Sequence, residues 1–165
     1  METDKNSKLE KYSDKVLFTI LTEIDKQINS EFNISLEDDD FREVSDNVCT
    51  MLGVGSLNWL DVDFLITLYR DNSNQISEGK LDSPLSRPKV SKYYADVDVT
   101  STEYARRTYR HTTRSYSEEN VIPQFRSMED GGDISVWDGD EIDYDTYDSS
   151  TDDIKWDISS VTQVK

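Results

Sequence analysis

From Tyr104 to Tyr116 the sequence interleaves Arg106, Arg107, Arg110 and Arg114 with Tyr109, His111 and several threonines. A guanidinium fork binds phosphate or carboxylate through two parallel hydrogen bonds, and a tyrosine ring stacks on a base or covers a cation. Such a run contacts either nucleic acid or an acidic protein surface. What lies downstream favours the second: residues 118–157 carry 14 acids against 2 bases. Among those acids, Asp140, Glu141, Asp143 and Asp145 are interspersed with Ile142 and Tyr144. Trp137 and Trp156 stand in the same stretch, and tryptophan is a favoured anchor at interfaces, of no use to a tail meant only to be soluble. The expected partner-binding residues are therefore Arg106, Arg107, Tyr109, Arg110 and Arg114 on the basic side. On the acidic side they are Trp137, Asp140, Glu141, Asp143, Tyr144, Asp145 and Trp156.

Catalytic and metal chemistry finds little support. Cys49 and His111 are single residues of their types and lie far apart in sequence, whereas a thiol–imidazole pair needs contact within about 3 Å. Cys49 adjoins an apolar stripe and reads as a core or boundary thiol. One Cys and one His are too few for the usual zinc sites. Asp138-Gly139-Asp140-Glu141-Ile142-Asp143 lacks the ligand order of an EF-hand. Gly53-Val54-Gly55 lacks the third glycine and the Lys-Ser/Thr of a phosphate cradle and reads as a helix stop. No enzyme, cofactor or metal is expected.

The 35 acids and 18 bases leave a formal charge of −17. Such a field repels nucleic acid and attracts basic surfaces. The charge is uneven, because residues 87–114 carry 7 bases against 3 acids, a basic island between two acidic blocks. A lone cysteine permits no internal disulfide, and no apolar stretch suits a signal peptide or a membrane span. A cytoplasmic setting follows, which for a virus-encoded protein means the host cytoplasm or a particle assembled there.

The elements that must position these residues differ between the two halves. Leu, Ile, Val and Phe supply 23 of residues 7–71 but only 16 of residues 72–165, so the first half can bury a core and the second only a thin one. Leu9, Tyr12, Val16, Leu17, Ile20, Leu21, Ile24 and Ile28 recur at helical spacing and predict a helix over 7–32, with Ser7 and Glu10 as a capping box. A second helix is expected over 36–52, capped by Ser35, with Glu37 to Asp40 at its positive end and Phe41, Val44, Val48, Met51 and Leu52 as its stripe. Gly53 ends it. A third runs over 57–70 from a Ser56 cap, with Trp59, Leu60, Val62, Leu65, Ile66 and Tyr69. Three such helices make a small bundle. As a helix-turn-helix it would present Asp61 and Asp63 to phosphate, so DNA reading by this bundle is rejected.

Residues 72–92 read as a linker, rich in Asn, Ser, Gly and Pro. Residues 93–117 read as two strands. Ala95, Val97 and Val99 alternate with Asp96, Asp98 and Thr100; Arg106, Thr108, Arg110, Thr112 and Arg114 share one face of the second strand, and Tyr109, His111 and Thr113 the other. In residues 118–165, Gly131-Gly132 reads as a joint and Asp138-Gly139 as the turn of a hairpin. Ile142 and Tyr144, with Ile154, Trp156 and Ile158, are expected on an apolar face opposite Glu141, Asp143, Asp145, Asp153 and Asp157.

The expected fold class is α+β: an N-terminal three-helix bundle over 7–71, a linker over 72–92, a basic β-like segment over 93–117, and an acidic β-like or extended tail over 118–165. The expected role is non-enzymatic protein–protein interaction or assembly, with a protein partner or a second copy, such as a phage particle component whose C-terminal half orders on neighbouring subunits. Three competing readings follow from the same residues: an acidic mimic of nucleic acid built on Asp140, Glu141, Asp143 and Asp145, an RNA-binding module built on the four arginines, and an enzyme with an unfamiliar Asp, Tyr and Arg site.

Overall fold

A computed structural model of the chain describes residues 6–31, 39–100, 105–146 and 155–164. Ser35, Glu37, Asp38, Tyr104, Asp153 and Ile154 lie outside the described residues, as do the side chains of Asp39, Asp40 and Asp145. The chain divides into two compact units, Met1–Val90 and Ser91–Lys165. Helices come first and an antiparallel sheet second, so the class is α+β.

The first unit holds α1 (Asp14–Glu31), α2 (Asp39–Met51), α3 (Trp59–Asp71) and α4 (Ser73–Glu78). Periodicity places α1 well: Leu17, Ile20, Leu21, Ile24 and Ile28 are buried. Its start differs from expectation. Ser7 caps a short 3-10 turn, Lys8–Lys11, and the Ser13 hydroxyl accepts from the Val16 amide at the true helix start. On α2 the buried face is Phe41, Ser45, Val48 and Cys49, while Met51 and Leu52 are exposed. Phe41 and Val48 of the expected stripe are thus inside, whereas Met51 and Leu52 are not, and the buried face runs through a small polar Ser45 whose hydroxyl bonds to the Phe41 carbonyl. Gly53 ends the helix in the left-handed region, at φ 79°.

Asn58, not Ser56, caps α3, and it forms a reciprocal capping box with Asp61. Asp61 and Asp63 are buried rather than displayed on an outer face. Asp61 accepts from the Ser7 hydroxyl and from the amides of Lys8 and Asn58, so the carboxylate ties the start of the chain to the head of α3. Within the stretch expected as a linker, α4 buries Ile76, and Leu85 is also buried. Side chains stitch the rest down: Asn72 bonds the Ser86 amide and carbonyl, and Gln75 accepts from the amides of Asp82 and Ser83. Arg87 donates to Asp14 and to the carbonyls of Glu10 and Tyr12. That guanidinium, with the Leu85 amide, holds the Asp14 carboxyl below its ordinary value.

The second unit is a four-stranded antiparallel sheet with one helix on it. Its strands are β1 (Ser91–Thr100), β2 (Ala105–Ser115), β3 (Asp140–Thr146) and β4 (Lys155–Gln163), in the order β3-β2-β1-β4. The central β1–β2 hairpin is the one read from alternation, with Val97 opposite Tyr109 and Asp96 opposite Arg110. The sequence reading missed α5 (Val121–Asp130), which lies on one face. Its Val121 meets Tyr93 and Ala95, and its Phe125 meets Val97, Val99 and Val136. Gly131-Gly132 is the end of this helix rather than a joint: Gly132 has φ 77°, and the Asp133 amide bonds back to the Met128 carbonyl at 2.8 Å.

The expected hairpin at Asp138-Gly139 does not form. Residues Val136–Asp138 make a 3-10 turn capped by Ser135, and β3 and β4 lie on opposite edges of the sheet. A two-residue hairpin of that composition needs positive φ at its centre, and Gly139 is extended. Its lack of a side chain serves a different need, since a Cβ there would meet the Arg110 carbonyl and the His111 ring at 2.8 Å.

Candidate interaction site

The basic island and the acidic tail are neighbours in one sheet. β2 pairs with β3 so that Arg106 lies opposite Asp145, Arg107 opposite Tyr144, Thr108 opposite Asp143, Tyr109 opposite Glu141 and Arg110 opposite Asp140. The two segments thus lie side by side as strands, and among the described residues one ion pair joins an arginine of the island to an acid of the tail, Arg107 to Glu141. A register shift between Thr108 and Tyr109 leaves Ile142 as the extra residue on β3. The shift also mixes the two expected faces of β3: Glu141 takes the same side as Tyr109 and Tyr144, while Asp143 stays on the other.

On the side that carries α5, five of the expected residues converge. The Arg107 guanidinium lies 5.0 Å over the Tyr144 ring and 3.5 Å from the Glu141 carboxylate. Tyr109 meets Trp137 edge to face at 5.5 Å. Trp137 is 41% exposed, Ile142 46% and Tyr144 53%, so three large apolar side chains reach solvent within the acid-rich margin 137–144. A cation over an aromatic face and an edge-to-face ring pair each hold these side chains in place without burying them.

On the other face, Arg110 forks onto Asp96 at 2.8 and 3.1 Å and lies over the Tyr94 ring at 4.8 Å. Ser160 also donates to Asp96, and Thr108 donates to Asp98 at 2.6 Å. The arginine fork, more than the serine, lowers the Asp96 carboxyl below its ordinary value. Asp140 and Asp143 fall in register opposite Arg110 and Thr108 on this same face. Arg114 sits away from them, opposite Lys92.

Two expected partner residues do other work. Trp156 is half-buried against Phe125, ring centres 5.6 Å apart, and belongs to this chain's own core. Arg110 serves Asp96, whose role the sequence reading missed; the signal was an acid in the middle of an otherwise apolar alternation. His111 is buried, with Nε2 3.0 Å from the Val136 carbonyl and its ring against Phe125. Cys49 is fully buried, and burial, more than nearby Asp46, pushes its thiol up to about 11, which keeps it protonated and unreactive. Among the described residues no group of three or more His, Cys, Asp or Glu side chains could hold a metal ion, and no helix is long and apolar enough to cross a membrane.

Fold and site define an α+β protein with a helical unit followed by a small antiparallel sheet that bears an aromatic and arginine margin. No protein-family model matches this chain, and no match was found among curated proteins or solved structures.

Proposed function

We propose that this chain is a non-enzymatic protein–protein interaction or assembly protein that holds a protein partner through the 137–144 margin of its sheet. One observation carries the reading: Trp137, Ile142 and Tyr144 are exposed within eight residues, and Tyr109 and Arg107 hold two of them against a paired strand. Aromatic and arginine side chains set on a rigid frame, with an apolar centre and charged rim, are the usual make-up of a binding hot spot. The absence of a disulfide-forming cysteine pair fits a reducing compartment, and the acidic, apolar-poor composition fits an assembly component such as a phage-particle protein.

The test is a Trp137→Ser, Tyr144→Ser double variant. Native and variant chains are compared by light-scattering mass and by quantitative capture from cells of the source. A protein partner or second copy held by the native chain should be released at least about tenfold by the variant, with an unchanged unfolding midpoint. Equal retention by both chains overturns the reading.

A further inference from the structure

The sheet has two edges, and both carry the same local device. The Val164 amide donates to the Lys92 carbonyl at 2.8 Å. In an antiparallel ladder, successive residues turn their amide and carbonyl alternately toward one neighbour and the other. Lys92, Tyr94, Asp96 and Asp98 of β1 therefore face β4, and the residues between them face β2. By the same alternation Arg106, Thr108 and Arg110 of β2 face β3. Asp143, opposite Thr108, turns its backbone inward and Tyr144 turns outward. On β4, Asp157 is opposite Asp98 and faces inward, so Ile158 turns outward. Each aspartate then folds its carboxylate over the next residue's outward amide: the Tyr144 amide donates to Asp143 Oδ1 at 3.0 Å and the Ile158 amide to Asp157 Oδ1 at 2.9 Å. An outward amide on an edge strand is the donor that an added strand needs, and here it is already bonded.

The two latches are not equal. Asp157 is also held by Arg126 of α5, at 3.3 Å. Among the described residues no cation is bonded to Asp143. Among the described residues the one bond to the Asp143 carboxylate is thus from the Tyr144 amide, and the exposed Trp137, Ile142 and Tyr144 stand near it in sequence. Residues 137–146 contain five acids and no base.

We propose that the outer edge of β3 receives a basic, extended protein segment as an added strand. A lysine or arginine of that segment takes the Asp143 carboxylate, the Tyr144 amide is freed to bond the incoming backbone, and the aromatic margin covers its apolar side chains. The proposal rests on the interaction reading above and names the chemistry of the partner. Charge complementarity carries it: β3 already pairs on its inner side with a basic strand, and Asp143, unlike Glu141 with its Arg107, has no cation bonded to it among the described residues.

That inner strand supplies the peptide for the test. A capped peptide of residues 105–115, ARRTYRHTTRS, is titrated into the full-length chain and followed at the Tyr144 amide by NMR and hydrogen exchange. Binding should slow Tyr144 exchange at least about tenfold, leave the β1–β2 amides unchanged and weaken steeply with salt. Proline is tolerated where an edge amide faces outward, so Tyr144→Pro and Tyr144→Ala are compared. The alanine variant loses the ring and should still bind weakly; the proline variant loses the donor as well and should not bind. Equal binding by the two variants, loss of the β1–β2 protection, or no binding at low salt overturns the proposal. The serine double variant decides the broader interaction reading separately, because that experiment does not depend on strand addition or on a basic partner.

Discussion

The helical unit buries Asp61 among a hydroxyl and two backbone amides, while the sheet unit holds Asp96 with the fork of Arg110 and a serine. The contrast extends to what surrounds each carboxylate. The unit that holds Asp61 also keeps large aliphatic and aromatic side chains at zero exposure, including Phe41, Phe64, Leu65 and Leu68. Around Asp96 the fully buried apolar groups are Ala95 and Val97 on the opposite face, backed by one helix turn of Phe125. A unit with a large apolar core can satisfy a carboxylate from its own backbone. A unit with a thin core uses arginine–acid pairs and half-buried rings to hold its strands together. Acidic composition thus has two meanings in one chain: caps and ties in the first unit, and partners for the central strand in the second.

Several changes break or sharpen that comparison. The largest effect is expected for Phe64→Ala, which empties a fully buried site in the helical unit and should cost about 3–5 kcal/mol. Amide exchange should accelerate across α1 and α3; a loss under about 1 kcal/mol would show that this core is less tightly packed than its burial implies. Next comes Gly139→Ala in the sheet unit. Its new Cβ meets a backbone carbonyl and the His111 ring at 2.8 Å, so chemical denaturation should show a loss of about 1–3 kcal/mol. An unaltered midpoint would mean that the start of β3 has room to shift.

A smaller effect, of opposite sign, is expected at Gln124. Its Nε2 is buried in the sheet unit and has no hydrogen-bond partner among the described residues, so Gln124→Met should stabilise by about 1 kcal/mol. Destabilisation in a urea titration would reveal a bridging water. The smallest effect concerns pH. The folded-state carboxyl of Asp96 lies below its ordinary 3.8. Its contribution is therefore present above that value and lost as the pH falls through the folded value. Asp14, held by Arg87, behaves alike in the helical unit, so acid weakens both units. The distinguishing result is that Asp96→Asn should flatten the acid response of the sheet amides and leave that of the helical amides as it was.

The legible parts of this molecule were those with a repeating pattern. The aliphatic spacing from Leu17 to Ile28 placed α1, and the alternation from Ala95 to Thr100 placed β1. The pattern failed where small or polar residues were inside: Ser45 and Asp61 are buried, so part of the stripe of α2 and the outer face of α3 were misplaced. It failed again for α5, where Val121 and Phe125 are the buried apolar residues and Pro123 suggests a break, although proline is tolerated in a first helical turn. Of the site, the residue types were readable in advance and their grouping was not. Arg107, Tyr109, Trp137, Glu141 and Tyr144 come together, whereas Trp156 turns to the core and Arg110 to Asp96.

By itself the sequence determined the elements whose period is written in neighbouring residues, the split between an apolar-rich and an apolar-poor half, and the stock of arginines, acids and rings available to the second. Only the tertiary structure decided that β3 pairs with β2 and β4 with β1, that one bulge puts Glu141 beside Tyr109, and that Asp143 covers an outward amide. Periodicity tells which face of an element is buried because it repeats along the chain. Strand partners and register are set between residues far apart in sequence, by cross-strand contacts and the fit of one side chain such as the missing one at Gly139, and no local pattern carries that information.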